Sequence, residues 1–107
     1  MKNNSHLEVN VDEVAEAIRA DSHMLLDVRE QDEWNEAHIE GAVHIPMSEL
    51  TARVGELSTD KPIYIMCHSG ARSLYAVQYL TQAGHADPKS LSGGIVAWAQ
   101  SGKPVVY

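Results

Sequence analysis

Ile63-Tyr64-Ile65-Met66-Cys67-His68-Ser69-Gly70-Ala71-Arg72-Ser73 is the stretch that decides how this chain folds. Four apolar residues with a strong β preference make a strand suited to burial on both faces, the pattern of central strands in parallel sheets. The run breaks into small and polar residues. A helical pattern then follows over about 72–83, with Ala76, Val77 and Leu80 on its inner face and Gly84 placed to stop it. Strand, short loop and helix together make half of a parallel crossover unit.

The same alternation extends in both directions. Upstream, Asn10 and Glu13 form a capping-box pattern, and Val11, Val14, Ala15 and Ile18 follow at helical spacing, which predicts a helix over about 11–20. Met24-Leu25-Leu26-Asp27-Val28 reads as a second buried strand. Arg29-Glu30-Gln31-Asp32-Glu33 then opens a short acidic helix with Trp34 as its inward anchor. Gly41-Ala42-Val43-His44-Ile45-Pro46 is a brief strand ended by proline. Ser48 is placed to cap a helix whose apolar face is Leu50, Val54 and Leu57. Downstream come a short strand around Ser90-Leu91, a turn at Gly93-Gly94 and a last helix carrying Ile95 and Trp98. Such an order predicts an α/β fold, a mostly parallel sheet with helices on both faces, in one domain over 1–107.

Composition narrows the function. At 107 residues the chain is long enough for one core. Its single cysteine rules out an internal disulfide or a multi-thiolate metal centre. Eight Lys and Arg against 15 Asp and Glu give a net charge of −7, which argues against a phosphate-backbone binder, so no nucleic-acid partner is expected. No segment has the length and apolarity of a membrane span or signal peptide; a soluble cytoplasmic protein with a reduced cysteine is the expectation.

Ligand sites of open parallel sheets lie at the carboxyl ends of the strands. Cys67 is at such an end, directly before a helix, where backbone N–H groups and the helix dipole stabilise a negative charge. A lone cysteine after a hydrophobic strand is ordinarily a small core residue. Here Ser69, Gly70 and Ala71 are poor core fillers but let backbone amides converge on an anion, so Cys67 is read as a thiolate nucleophile with a lowered pKa. Arg72 adds a fixed positive charge and planar donors suited to an oxyanion. Ser73 is expected to stabilise the loop through a hydrogen bond.

Other polar residues receive structural readings. Asp27 and Arg29 are expected to form an ion pair or tie down a loop. His38 and His44 are expected to bond loop backbone and not a metal, Trp34 and Trp98 to pack, and the acidic stretch 30–36 to be a solvated helix face.

Four segments together resemble the rhodanese (sulfurtransferase) family, in particular its small single-domain bacterial members. They are Leu25-Leu26-Asp27-Val28-Arg29-Glu30, His38-Ile39-Glu40-Gly41-Ala42-Val43-His44-Ile45-Pro46, the loop from Cys67 to Ser73, and Leu91-Ser92-Gly93-Gly94-Ile95-Val96-Ala97-Trp98 with Pro104. The resemblance implies a doubly wound five-stranded sheet. It also implies that Cys67 takes a sulfane sulfur from a donor such as thiosulfate and passes the persulfide to a thiophilic acceptor: cyanide, a thiol or a dithiol protein. His68, Ser69, Gly70, Ala71, Arg72 and Ser73 would form the substrate-binding ring, with Arg72 orienting the donor, and no cofactor or metal is implied. A persulfide carrier loaded by a protein partner, with little turnover of small donors, is the alternative. Four residues separate Cys67 from Arg72. Phosphatases of this general type carry one more, for a wider ring around a phosphoryl group. The acidic Glu33 departs from the two-domain rhodaneses, which place a basic substrate-binding residue in this stretch, and points to weaker thiosulfate binding or another donor. Ala37 stands before His38 where many members have glycine.

Overall fold

A computed structural model describes residues 5–107. Strands β1 (Glu8–Val9), β2 (Met24–Asp27), β3 (Val43–His44), β4 (Ile63–Met66) and β5 (Lys89–Leu91) form one sheet in the order β1-β5-β4-β2-β3. Every pairing is parallel. The helices between them are α1 (Val11–Ala20), α2 (Gln31–Glu36), α3 (Met47–Arg53), α4 (Ala71–Gln82) and α5 (Gly94–Gln100).

The period-2 geometry of the strands divides the core into two layers. Leu26, Ile63 and Ile65 face α3 and α4, packing on Leu50, Ala76, Val77 and Leu80. Leu25, Met66 and Leu91 face the other way, against Val14 of α1 and Ile95 and Trp98 of α5. Adjacent apolar residues within one strand thus serve opposite layers, which is why β4 is apolar throughout and β2 is apolar up to Asp27. From β2 the chain runs to β3 at one edge, whereas from β4 it runs to β5 on the other side. The loops leaving the carboxyl ends of β2 and β4 therefore diverge, and open α/β sheets bind ligands in the crevice so formed. Among the described residues no helix is long and apolar enough to cross a membrane.

Local expectations hold where the signal is local. Asn10 Oδ1 accepts from the Glu13 N–H at 2.8 Å and Glu13 answers on the Asn10 N–H at 3.3 Å, completing the capping box of α1. Three elements differ. The two-residue β1 has no strand signature of its own and exists through its pairing with Ser90 and Leu91. The strand expected over 41–46 shrinks to Val43–His44, because Gly41 takes a left-handed φ of +88° and the Ala42 N–H bonds back to the Ile39 carbonyl in a turn. Pro46, not Ser48, precedes the first turn of α3; Ser48 is already inside the helix, where its hydroxyl donates to the Glu30 carboxylate at 2.8 Å.

Candidate active site

The loop between β4 and α4 wraps around the sulfur of Cys67. Gly70 N–H lies 3.1 Å from Sγ, Ser73 N–H 3.4 Å and Ser73 Oγ 3.5 Å. The turn depends on Gly70, whose φ of +112° is closed to other residues at little cost. Outside the ring, the first turn of α5 locks the loop from behind: Ile95 N–H donates to the Cys67 carbonyl at 2.9 Å and Val96 N–H to the His68 carbonyl at 3.2 Å. Those carbonyls are thereby engaged away from the anion site. A Cβ at Gly94 would collide with both, so only glycine allows this approach. The Gly93-Gly94 pair, read from the sequence as a turn, is thus also a bracket for the cysteine loop.

Burial of Cys67, only 1% exposed, pushes its thiol pKa up. The Ser73 hydroxyl and the N–H groups of Ser73, Gly70 and Ser69 together outweigh burial, and the pKa falls below the ordinary thiol value. The sulfur is thus shielded, and its negative form is favoured over that of an ordinary thiol. Behind it, Ser73 Oγ lies 2.6 Å from Ser90 Oγ and 3.1 Å from the Gly70 carbonyl. Ser90, on β5, is fully buried. A hydroxyl donates one proton; when Ser90 donates to Ser73, the Ser73 proton is free to point at the thiolate. Sequence reading missed Ser90, since nothing in a strand residue announces which loop it will meet.

His68, Ser69 and Ala71 lie on the exposed side of the loop. His68, Glu33, Glu36 and Ile95 border a crevice of about 230 Å³ beside it, which Tyr107 at the end of the chain also lines. The terminal segment is brought there by a two-way bridge between the backbones of His38 and Val106, at 2.8 and 2.7 Å.

Arg72 differs from the sequence-based expectation. It does not stand free at the mouth: Nη1 donates to Glu33 Oε1 at 2.7 Å and Nη2 to Oε2 at 2.8 Å. The guanidinium holds the Glu33 carboxyl down to about 2, against partial burial and with help from the Glu30 N–H. Glu33 in turn raises the Arg72 pKa, which the nearby Cys67 thiolate raises further. Glu33 is therefore part of the site and not simply a solvated acid on α2. The residue reached Arg72 across 39 positions of sequence, which no local pattern displays.

The remaining polar residues support the loops. Asp27 and Arg29 form a buried ion pair, with Nε 3.1 Å from both carboxylate oxygens and Nη2 2.8 Å from Oδ2. Arg29 also donates to the carbonyls of Glu33 and Ala37 at 3.1 and 2.7 Å, tying the end of α2 to β2. Trp34 stacks on two imidazoles, its ring centre 4.0 Å from that of His38 and 4.7 Å from that of His44, with the planes near parallel. Their nitrogens meet backbone carbonyls, His38 Nδ1 that of Trp34 at 3.1 Å and His44 Nε2 that of Arg29 at 2.7 Å, so each of these atoms carries the proton.

Known proteins are similar to this chain in sequence and fold. The family model described as Rhodanese-like domain matches residues 10–101. A sulfurtransferase of Allochromatium vinosum is 40% identical over 83 residues, which cover 78% of this chain and 78% of that protein. Thiosulfate sulfurtransferase GlpE of Shewanella oneidensis is 33% identical over 101 residues, covering 94% and 98%. The crystal structure of a rhodanese-related protein from Thermoplasma volcanium matches with a TM-score of 0.85 at 35% identity, over 92% of this chain and 96% of that one.

Proposed function

This chain belongs to the rhodanese-like family, and on that premise we propose that it is a sulfurtransferase that carries sulfane sulfur as a persulfide on Cys67. The observation that carries the reading is the set of donors converging on Sγ: two backbone N–H groups and one hydroxyl within 3.5 Å of an otherwise enclosed sulfur.

The chemistry follows from two displacements at sulfur. The Cys67 thiolate attacks the outer sulfur of the donor; a new S–S bond forms as the donor's own breaks, and the leaving group departs with the electron pair, as sulfite if the donor is thiosulfate. An acceptor thiol or cyanide then attacks the outer sulfur of the persulfide, and Cys67 leaves as thiolate. No net oxidation and no general base are required. A persulfide bond of about 2 Å carries the reactive atom outward from the bottom of the ring, so the enclosed thiolate is reached by a slim donor and the loaded sulfur by a bulkier acceptor. Amides preset toward negative charge favour both the attacking thiolate and the departing one.

With one cysteine in the chain, no internal thiol can discharge the persulfide as a disulfide. The acceptor is therefore a separate molecule, a small thiol or a protein dithiol. The chemistry needs Cys67 reduced, which a cytoplasmic setting provides. Turnover of sulfur from a donor to cyanide by the purified chain, abolished in Cys67→Ala, tests the reading; equal turnover in that variant would overturn it.

A further inference from the structure

We infer that Glu33 is a specificity-determining residue: it occupies the end-on donor pair of Arg72 and turns the site away from oxyanion donors, toward an organic persulfide whose carrier group is neutral or cationic. The inference rests on the persulfide chemistry proposed for Cys67 and names the donor class for it.

Arg72 would recognise a sulfonate-like head best through a planar pair of N–H donors that binds two oxygens at once, and its end-on pair, Nη1 with Nη2, is the one in question. Both its terminal nitrogens are on the Glu33 carboxylate, at 2.7 and 2.8 Å. Glu33 is held at two further points, one on its carboxylate and one on its backbone. Oε1 also accepts the Glu30 N–H at 3.0 Å, and the Glu33 carbonyl is held by Arg29, itself fastened to Asp27. The internal anion is thus preorganised, and an external one must displace it.

Among the described residues no other fixed cation is left unpaired to offer a substitute: every Lys and Arg is engaged in an ion pair. Glu36 lines the crevice beside His68 as well, and the chain as a whole carries −7. A dianion such as thiosulfate approaches against this field and finds the charge of Arg72 already neutralised and its end-on donor pair taken, whereas an ammonium-bearing persulfide is attracted by Glu36 and needs nothing from Arg72. The step balances without a co-reactant: Cys67–S⁻ attacks R–S–SH, giving Cys67–S–SH and R–S⁻.

The test compares thiosulfate with cysteamine persulfide as donors to the full chain, in the native form and as Glu33→Gln. The native chain is expected to load from cysteamine persulfide with a kcat/KM at least about tenfold above that for thiosulfate. Glu33→Gln is expected to lower the KM for thiosulfate by about tenfold, the size of one charge-assisted hydrogen bond, with little change in kcat and no matching gain for cysteamine persulfide. A folded Glu33→Gln with an unchanged thiosulfate KM, or a native chain that prefers thiosulfate, overturns the inference. If Glu33→Gln does not fold, sulfate added to the native chain at constant ionic strength asks the same question: no competition is expected, and competitive inhibition would mean that Arg72 is open. Failure of both donors to place sulfur on Cys67 would instead remove the persulfide reading, and the donor selectivity with it.

Discussion

Two arginine–carboxylate pairs stand at the carboxyl end of the sheet, built from the same chemistry and put to different ends. In the Arg29–Asp27 pair the side chains are 4% and 0% exposed; in the Arg72–Glu33 pair, 36% and 27%. A desolvated pair cannot open without stranding a buried charge, so the first acts as a rivet between β2 and the end of α2. A pair that water can reach adds little to stability, so the second is not needed to hold the fold and is placed to serve the site, setting Glu33 against an incoming anion. Burial, and not the identity of the groups, separates a structural ion pair from a functional one.

The comparison can be broken by removing one member of each. Asp27→Ala should destabilise the fold by about 3–5 kcal/mol, the cost of an uncompensated buried charge, measured by urea unfolding; a loss below about 1 kcal/mol would make the two pairs equivalent. Arg72→Ala should leave the fold in place yet slow sulfur loading by about tenfold, because the unpaired Glu33 then faces the thiolate. Stopped-flow loading checks this, and restoration of part of the rate by adding Glu33→Gln would assign the loss to the stranded carboxylate.

Smaller effects sharpen it. Ser90→Ala removes the donor behind Ser73 and should move the pH midpoint of Cys67 alkylation by iodoacetamide upward, by less than about one unit, since a single neutral hydrogen bond is worth about 1 kcal/mol. An unmoved midpoint would reduce Ser90 to packing. The smallest effect belongs to the stability of the exposed pair. Glu33 titrates at about 2 in the fold against an ordinary 4.5, so its contribution is complete above 4.5 and is lost as pH falls through 2. Native and Glu33→Gln chains should differ by less than about 1 kcal/mol near neutrality and converge across that acid window.

Much of this was legible before the fold was known. The sheet and its layers followed from the mostly apolar runs 24–28 and 63–66, in which neighbouring residues are apolar because both faces are covered. The loop from Cys67 to Ser73 was legible because it is contiguous. What escaped reading came from distant contacts: β1 is a strand only beside β5, Ser90 meets Ser73 from 17 residues away, and Glu33 meets Arg72 from 39. Glu33 was visible as an acid in an unexpected place, but its partner was not. Trp34 was expected to anchor inward, and its stacking on His38 and His44 depends on two loops that only the folded sheet brings together.

The central claim concerns one atom, the sulfur added to Cys67. Intact-mass spectrometry of the freshly purified chain, before and after brief mixing with cysteamine persulfide or thiosulfate, tests it most directly. The account predicts a gain of one sulfur atom on the native chain, discharged by cyanide and absent from Cys67→Ala. A chain that stays unmodified with both donors, or a Cys67→Ala variant that gains the same mass, would contradict it.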